Sequence, residues 1–321
     1  MSGNTAPFTV QPRLTQIAMA VRPEGMIADL VSPRLPVDGE KFIYSQLGVD
    51  QFFTVPDTRV GRTGAPNSVE FSGTDITAST EDYGLQAPIP NKDINNAKNT
   101  NFDPLGTAAE GTSILVDLAR EARVASQFTA LSNYNAAYRT TLTGNDQWSD
   151  KTNSNPGDAI LTMLESMLVR PNIGWMGRQV WTKLRQHPKL VAAVMGKIGS
   201  TAVLEAAGKL DRRAVADYFE LDDLLIGETW VNTAKPGQTA SMSRAWGKDA
   251  GFCRIDKNVR SVRGFSLPTF AFTAQWGQKI SGTINDPNIG LEGGVWVRVG
   301  EHVKELLPYA DAGCLFKNAV A

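Results

Sequence analysis

DPLGTAAEGTSILVDLAREARVASQFTAL, residues 103–131, reads as a single helix from end to end. Leu115, Leu118, Ala122, Ala125, Phe128 and Leu131 recur at steps of three and four and trace one apolar stripe. Asp103 stands at the cap position, followed by Pro104 at the first helical position, where a missing N–H costs nothing. About 25 residues at ~1.5 Å each make a rod of nearly 40 Å, long for a globular domain. Leu115, Leu118, Ala122 and Phe128 are expected to belong to the chain's own core.

The sequence upstream of this helix has no core of its own. Residues 1–45 are proline-spaced: Asn4–Pro12 is polar, Ile17–Val21 suffices for one turn, and Pro23, Pro33 and Pro36 break anything longer. This part reads as an extended arm. Phe52–Thr58 and Ser68–Ser72 read as two strands around the tip Gly61-Arg62-Thr63-Gly64-Ala65-Pro66, with Val69 and Phe71 on one face. A two-stranded ribbon is marginal alone, so this one needs a neighbour.

Downstream, a polar loop (Thr140–Gly157) precedes a helix over Asp158–Val169. A buried strand at Trp175-Met176 follows, then a helix over Arg178–His187 and another capped by Asp211 with Val215, Tyr218 and Phe219 inward. Leu224-Leu225-Ile226 and Thr229–Asn232 read as strands, giving a small mixed domain. Phe270, Phe272, Ala274 and Trp276 alternate, as do Val295, Val297 and Val299, predicting two long strands before a last one within Tyr309–Val320.

Composition narrows the function classes. Of 321 residues, 42 % are hydrophobic and 20 % charged, which excludes global disorder. Lys plus Arg total 32 against 33 Asp plus Glu, a net charge of −1, without the basic excess of a phosphate-gripping protein. No apolar run approaches the roughly 20 residues of a membrane span; the longest is Leu190–Met195, and Ile17–Val21 is too short for a secretory signal. Cys253 and Cys314 cannot build a disulfide framework, so a reducing, intracellular site of synthesis is expected.

Chemistry-bearing motifs are sparse. His187 precedes Pro188 at a helix end, where a cation favours the dipole, and His302 lies in a strand. Both cysteines have apolar neighbours and read as small buried hydrophobes. Glu220, Asp222 and Asp223 form the densest acidic group, and a metal-dependent hydrolase using both aspartates and a histidine is one reading; a solvated turn is the plainer one. No phosphate-loop, dinucleotide, zinc-protease or nucleophile-elbow motif occurs. No catalytic residue, metal or cofactor is expected.

In their order along the chain these elements resemble the major capsid proteins of tailed bacteriophages, with the α+β Hong Kong 97-like fold. The likeness rests on Glu81-Asp82-Tyr83-Gly84-Leu85-Gln86-Ala87-Pro88-Ile89-Pro90, on Gly174-Trp175-Met176 through His187-Pro188-Lys189, and on Ala214–Ile226 with Trp246-Gly247-Lys248. Val295–Val303 with Ala310-Asp311-Ala312-Gly313 completes it. The resemblance implies an N-arm over 1–45, an extended loop over 46–90, a peripheral domain over 91–170 and 266–321 with the long spine helix, and an axial domain over 171–265. It further implies hexamers and pentamers (hexons and pentons) of this chain, closed as an icosahedral head around double-stranded DNA. The partners it implies are a portal, a scaffolding protein and a cement or decoration protein. The chain would be made in the bacterial host cytoplasm and end in the virion. Some members cross-link through a lysine of the extended loop; none lies between Lys41 and Lys92, so non-covalent contacts or a cement protein would stabilise the shell. Other members carry a long, cleaved N-terminal scaffolding segment; an arm starting almost at Met1 implies either a separate scaffold or a mature, processed form, and the retained Met1 favours the first. Arg59 and Arg62 at the tip, and Phe52 and Phe53 at the ribbon base, are the expected inter-subunit contacts. An encapsulin-like nanocompartment shell enclosing a cargo enzyme is the alternative.

Overall fold

The computed structural model describes residues 9–20, 24–48, 51, 53–70, 72–98, 102–196, 210–235, 237–256 and 268–321. In chain order the elements begin with β1 (Thr9–Val10), α1 (Pro12–Ala20), α2 (Ala28–Val31), β2 (Arg34–Val37), β3 (Lys41–Leu47), β4 (Gly73–Ser79), β5 (Glu81–Pro90), α3 (Asn91–Ala97) and α4 (Pro104–Phe128). Then come β6 (Arg139–Thr141), α5 (Pro156–Ser166), β7 (Ile173–Gly177), α6 (Arg178–Leu184), α7 (Pro188–Met195), α8 (Arg212–Tyr218), β8 (Asp223–Gly227) and β9 (Trp230–Asn232). The chain closes with β10 (Met242–Arg244), β11 (Ala250–Cys253), β12 (Phe272–Asp286), β13 (Gly294–Leu306) and β14 (Gly313–Lys317).

The alternating segments near the C-terminus build the first sheet. β12 and β13 pair antiparallel from Phe272–Leu306 to Asp286–Gly294, and β5 joins the far side of β13. Val297, Val299 and Val303 are buried, because period-two alternation turns them all to the helix-covered face. The ladder shifts register between Trp276 and Ile280, where Gly277 adopts φ +72°. This bulge divides β12 between two arm strands. β2 runs parallel beside residues 273–276, and β1 runs antiparallel at 282–283.

The arm is thus less extended than its prolines suggested. Pro12 opens α1 from its first turn, where proline is tolerated, and Leu14 and Ala18, four apart, pack against Ala109, Val297 and Val299. The ribbon also sits elsewhere than the sequence suggested. β3 pairs with β4 from Lys41–Ser79 to Leu47–Gly73, while the described residues of Phe52–Thr58 and Ser68–Ser72 form no ladder. Pro56 and Pro66 remove donors there, and no face is available to bury.

The second sheet has the order β6-β14-β11-β7-β8, so the final strand lies beside β11 and away from the first sheet. One face packs under α5, α6, α7 and α8 through Ile160, Leu164, Val180, Trp181, Leu184, Leu190 and Val215. The opposite face receives the C-terminal end of α4. Phe128 stands edge-on to Trp175, Trp246 and Phe270 at 5.8, 5.9 and 5.3 Å. The spine helix therefore joins the two sheets: its first half lies along the first and its last turn plugs into the second.

Candidate assembly surface

Three features face outward from this frame: the ribbon, one side of α4, and the arm that holds both to the body. The base of the ribbon is anchored. Phe42 is buried, Tyr44 meets the Phe272 ring edge-on at 6.1 Å, and the Gln46 side-chain amide donates to Pro308 O at 2.5 Å. Beyond Gly48 the anchoring ends. Every described residue from 53 to 70 is exposed, Val55 at 92 %, with Phe53, Val60 and Val69 about half-exposed or more. Among the described residues, local hydrogen bonds shape this tip: Gly64 N to Gly61 O at 3.0 Å, Asn67 Nδ2 to Asp57 O at 2.9 Å, and Gln51 Nε2 to Ser72 O at 2.7 Å. Arg59 and Arg62 are exposed on it, and neither forms an ion pair among the described residues. Phe52 lies outside the described residues.

The spine helix buries a different stripe from the one its leucines traced. Ala109, Val116, Val124, Ala125 and Phe128 are buried, whereas Leu115 is 53 % exposed and Leu118 and Ala122 are half-buried. Of the four residues assigned to the core, Phe128 alone is fully inside. The correction has a physical cause. Arg120 and Glu121 occupy the inward face, where apolar periodicity cannot reveal them, and the buried helix face is rotated accordingly.

Those two charges fasten the arm. Glu121 accepts hydrogen bonds from Ile27 N at 2.9 Å, Ala28 N at 2.8 Å and Trp246 Nε1 at 2.6 Å. One carboxylate thereby joins the spine helix, the first turn of α2 and the second sheet. Burial raises its pKa, partly offset by these three donors. Arg120 reaches the other way, pairing with Asp29 and donating to Ser32 O at 3.1 Å and Thr273 Oγ1 at 3.0 Å. Arg34 continues the chain of charges to Asp29 at 2.8 Å and buried Glu301 at 2.5 Å. Burial alone would push the Asp29 carboxyl up, but Arg120 and Arg34 outweigh it and leave its pKa lowered. Neither Arg120 nor Glu121 was singled out from sequence. The signal was there: two charges amid the apolar half of a long helix must be paired if they are buried.

Glu81–Pro90, noted as closing the ribbon, forms all of β5. Tyr83 packs under Arg123 at 3.5 Å, and its hydroxyl donates to Glu81 at 2.5 Å; burial and that carboxylate push it up to about 12.

The candidate chemical groups are dispersed. Asp222 accepts from the Asn172 amide at 3.0 Å, Asp223 from Leu224 N at 2.8 Å, and Glu220 pairs with Arg170 at 2.6 Å. His302 meets Asp82 on the first sheet at 2.5 Å. His187 is not a solvated cation at a helix C-terminus. Pro188 makes it the cap preceding α7, where it is buried with Nε2 3.1 Å from Ser154 Oγ, and burial lowers its pKa. Cys253 and Cys314 pack on opposite faces of the second sheet, and burial raises both thiols, Cys314 to about 12. Among the described residues no three His, Cys, Asp or Glu side chains gather as a metal site, and no helix is long and apolar enough to cross a membrane. What the geometry offers is surface for contact with other chains.

No protein-family model matches the chain. It is 48 % identical over 318 residues to the major capsid protein of Pseudomonas phage JBD67, covering 99 % of both chains. The chain belongs to the phage major capsid proteins. This capsid protein also matches the crystal structure of a phage-related protein from Bordetella bronchiseptica RB50, with TM-score 0.73 and 21 % identity over 98 % of this chain and 99 % of the other. It matches the capsid structure of Cyanophage P-SCSP1u with TM-score 0.55 and 11 % identity, over 93 % and 89 %. The α+β fold is that of the Hong Kong 97-like capsids, and the capsid protein is a structural component of the virion shell.

Proposed function

We propose that this capsid protein assembles as hexons and pentons into an icosahedral head enclosing double-stranded DNA, without catalytic activity and without a cofactor. The observation that carries the reading is the ribbon tip. Residues 53–70 expose four large apolar side chains and two arginines, none of them covered by the described residues of the subunit, and an isolated ribbon has no core to hold it. Phe53, Arg59 and Arg62 are the contacts assigned to a neighbouring subunit, with Phe52 beside them.

The proposed division is an N-arm over 1–45, an extended loop over 46–90, a peripheral domain over 91–170 and 266–321, and an axial domain over 171–265. The arm strands on β12 and the helix-covered first sheet support the peripheral unit. Three elements of the proposed peripheral stretch, α5, β6 and β14, share the second sheet or its core with residues of the proposed axial stretch, so the two proposed domains pack through a common sheet. A separate scaffolding protein, a portal and a cement or decoration protein complete the proposed partners. Identity to a phage capsid protein along the whole chain favours a phage head over a nanocompartment. Removal of Gly61–Pro66 tests the tip. The deleted chain is expected to keep its circular dichroism spectrum and lose shells in negative-stain electron microscopy, and normal shells would refute the contact.

A further inference from the structure

A second ribbon, unassigned so far, projects from the second sheet. β9 and β10 pair antiparallel with Trp230 opposite Arg244 and Asn232 opposite Met242, which places these four side chains on one face. Trp230 is 47 % and Met242 55 % exposed, and the Arg244 guanidinium lies 4.0 Å over the Trp230 ring. Lys235 adds a second exposed cation at the turn. The base is rigid. Gly25 O of the arm accepts from Glu228 N and Thr229 Oγ1, both at 3.1 Å, Ala245 N donates to Thr229 O at 3.0 Å, and Trp246 is buried. A fixed base thus holds out an aromatic, cationic face that the described residues of its own subunit leave exposed.

The opposite charge lies at the other end of the same edge strand. The ribbon follows the C-terminal end of β8, whereas Asp217, Glu220 and Asp222 lie before and at its N-terminal end, all three exposed, and among the described residues Glu220 is the one of the three paired with a cation, Arg170. Two ribbons meeting each other would oppose cation to cation, which disfavours a self-matching contact. Unlike patches at the two ends of one subunit fit a heterologous contact, which closes into a ring when the rotation between copies closes.

We propose that the Trp230–Arg244 face docks on the Asp217–Asp222 end of the second sheet of a second copy of this chain, mating successive copies head to tail around a ring. The inference rests on reading the chain as a ring-forming shell subunit. Zero-length carbodiimide coupling of shells purified from producing cells tests it, with coupled peptides mapped by mass spectrometry. The expected product joins Lys235 to Asp217 or Asp222 of another copy, and disappears when the shells are dissociated before coupling. Lys235 coupling only to other acids, or not at all, overturns the contact. Lys235→Glu with Arg244→Glu, and separately Asp217→Lys with Asp222→Lys, are each expected to lower the assembled fraction at least tenfold. All four changes in one chain should recover most of it. Wild-type assembly by both double variants also overturns the contact. Absence of shells from the unaltered chain, produced with the other head proteins of its genome, would instead overturn the proposed assembly into hexons and pentons and this inference with it.

Discussion

Replacing Glu121 with alanine removes the acceptor shared by Ile27 N–H, Ala28 N–H and the Trp246 indole N–H, at a position only 1 % exposed. A buried polar group left without a partner costs about 1–3 kcal/mol. Three such donors would sum to as much as ~9 kcal/mol in a rigid site. Relaxation lets water reach the two backbone donors at the start of α2, so the expected loss is about 3–5 kcal/mol. Whole domains are stable by about 5–15 kcal/mol, which makes this a large fraction. Glu121→Gln keeps one carbonyl oxygen but turns an amide toward a donor, and should lose about half as much. Urea unfolding of unassembled subunits at neutral pH measures both. A loss under about 1 kcal/mol for alanine, or equal losses for the two variants, would refute the shared-acceptor argument. The raised pKa of Glu121 adds a sign. The folded state keeps its proton to higher pH than the unfolded chain, so this group's contribution falls as pH rises from its unfolded value through its folded one, then stays level. Glu121→Gln should abolish that decline.

Gly227→Ala would place its Cβ 2.1 Å from Trp246 Cδ1, and overpacking of a rigid indole should cost about 1–3 kcal/mol or more in the same unfolding assay. His187 has a lowered pKa, so its contribution is present above the unfolded value near 6.5 and is lost as pH falls through the folded value; His187→Gln should flatten stability across that acid range, followed by thermal unfolding at stepped pH. Val116→Ala should cost about 1–3 kcal/mol in the free subunit, whereas Leu115→Ala, one residue away on the exposed side, should stay within about 0.5 kcal/mol. Equal losses at the two positions would contradict the orientation of the spine helix.

Elements with a strong period were legible in the sequence. The spine helix starts at Pro104 as expected, and Phe272–Asp286 and Gly294–Leu306 are the two long strands that alternation predicted. Trp175-Met176 and Leu224-Leu225-Ile226 were found because short, wholly buried strands are continuous apolar runs. What failed was orientation and pairing. Leu115 and Leu118 lie on the apolar stripe that the spacing traced, yet the inward face holds Arg120 and Glu121, whose partners Asp29, Ile27 and Trp246 are distant in sequence. The first ribbon was misplaced because Phe52, Phe53 and Val55 look like strand residues, while the real ladder uses Thr74, Asp75 and Thr77, which do not alternate in hydropathy. The candidate assembly surface was legible only as segments that lacked a core; nothing local told Trp230 that Arg244 would lie across from it.

The order of strands within the sheets bears on how the subunit is made. β12 and β13 are the interior strands of the first sheet, and β11 and β14 are interior to the second. All four come from the last quarter of the chain, so the arm strands, β5, β6 and β7 emerge from the ribosome before the late strands they pair with. Synthesis at ~5–20 residues per second keeps the earlier segments waiting for many seconds. Neither sheet can close until translation is nearly finished. A polypeptide terminated before β11 therefore lacks both interior strands of the first sheet and two interior strands of the second, and with them the frame on which the ribbon and the spine helix are held.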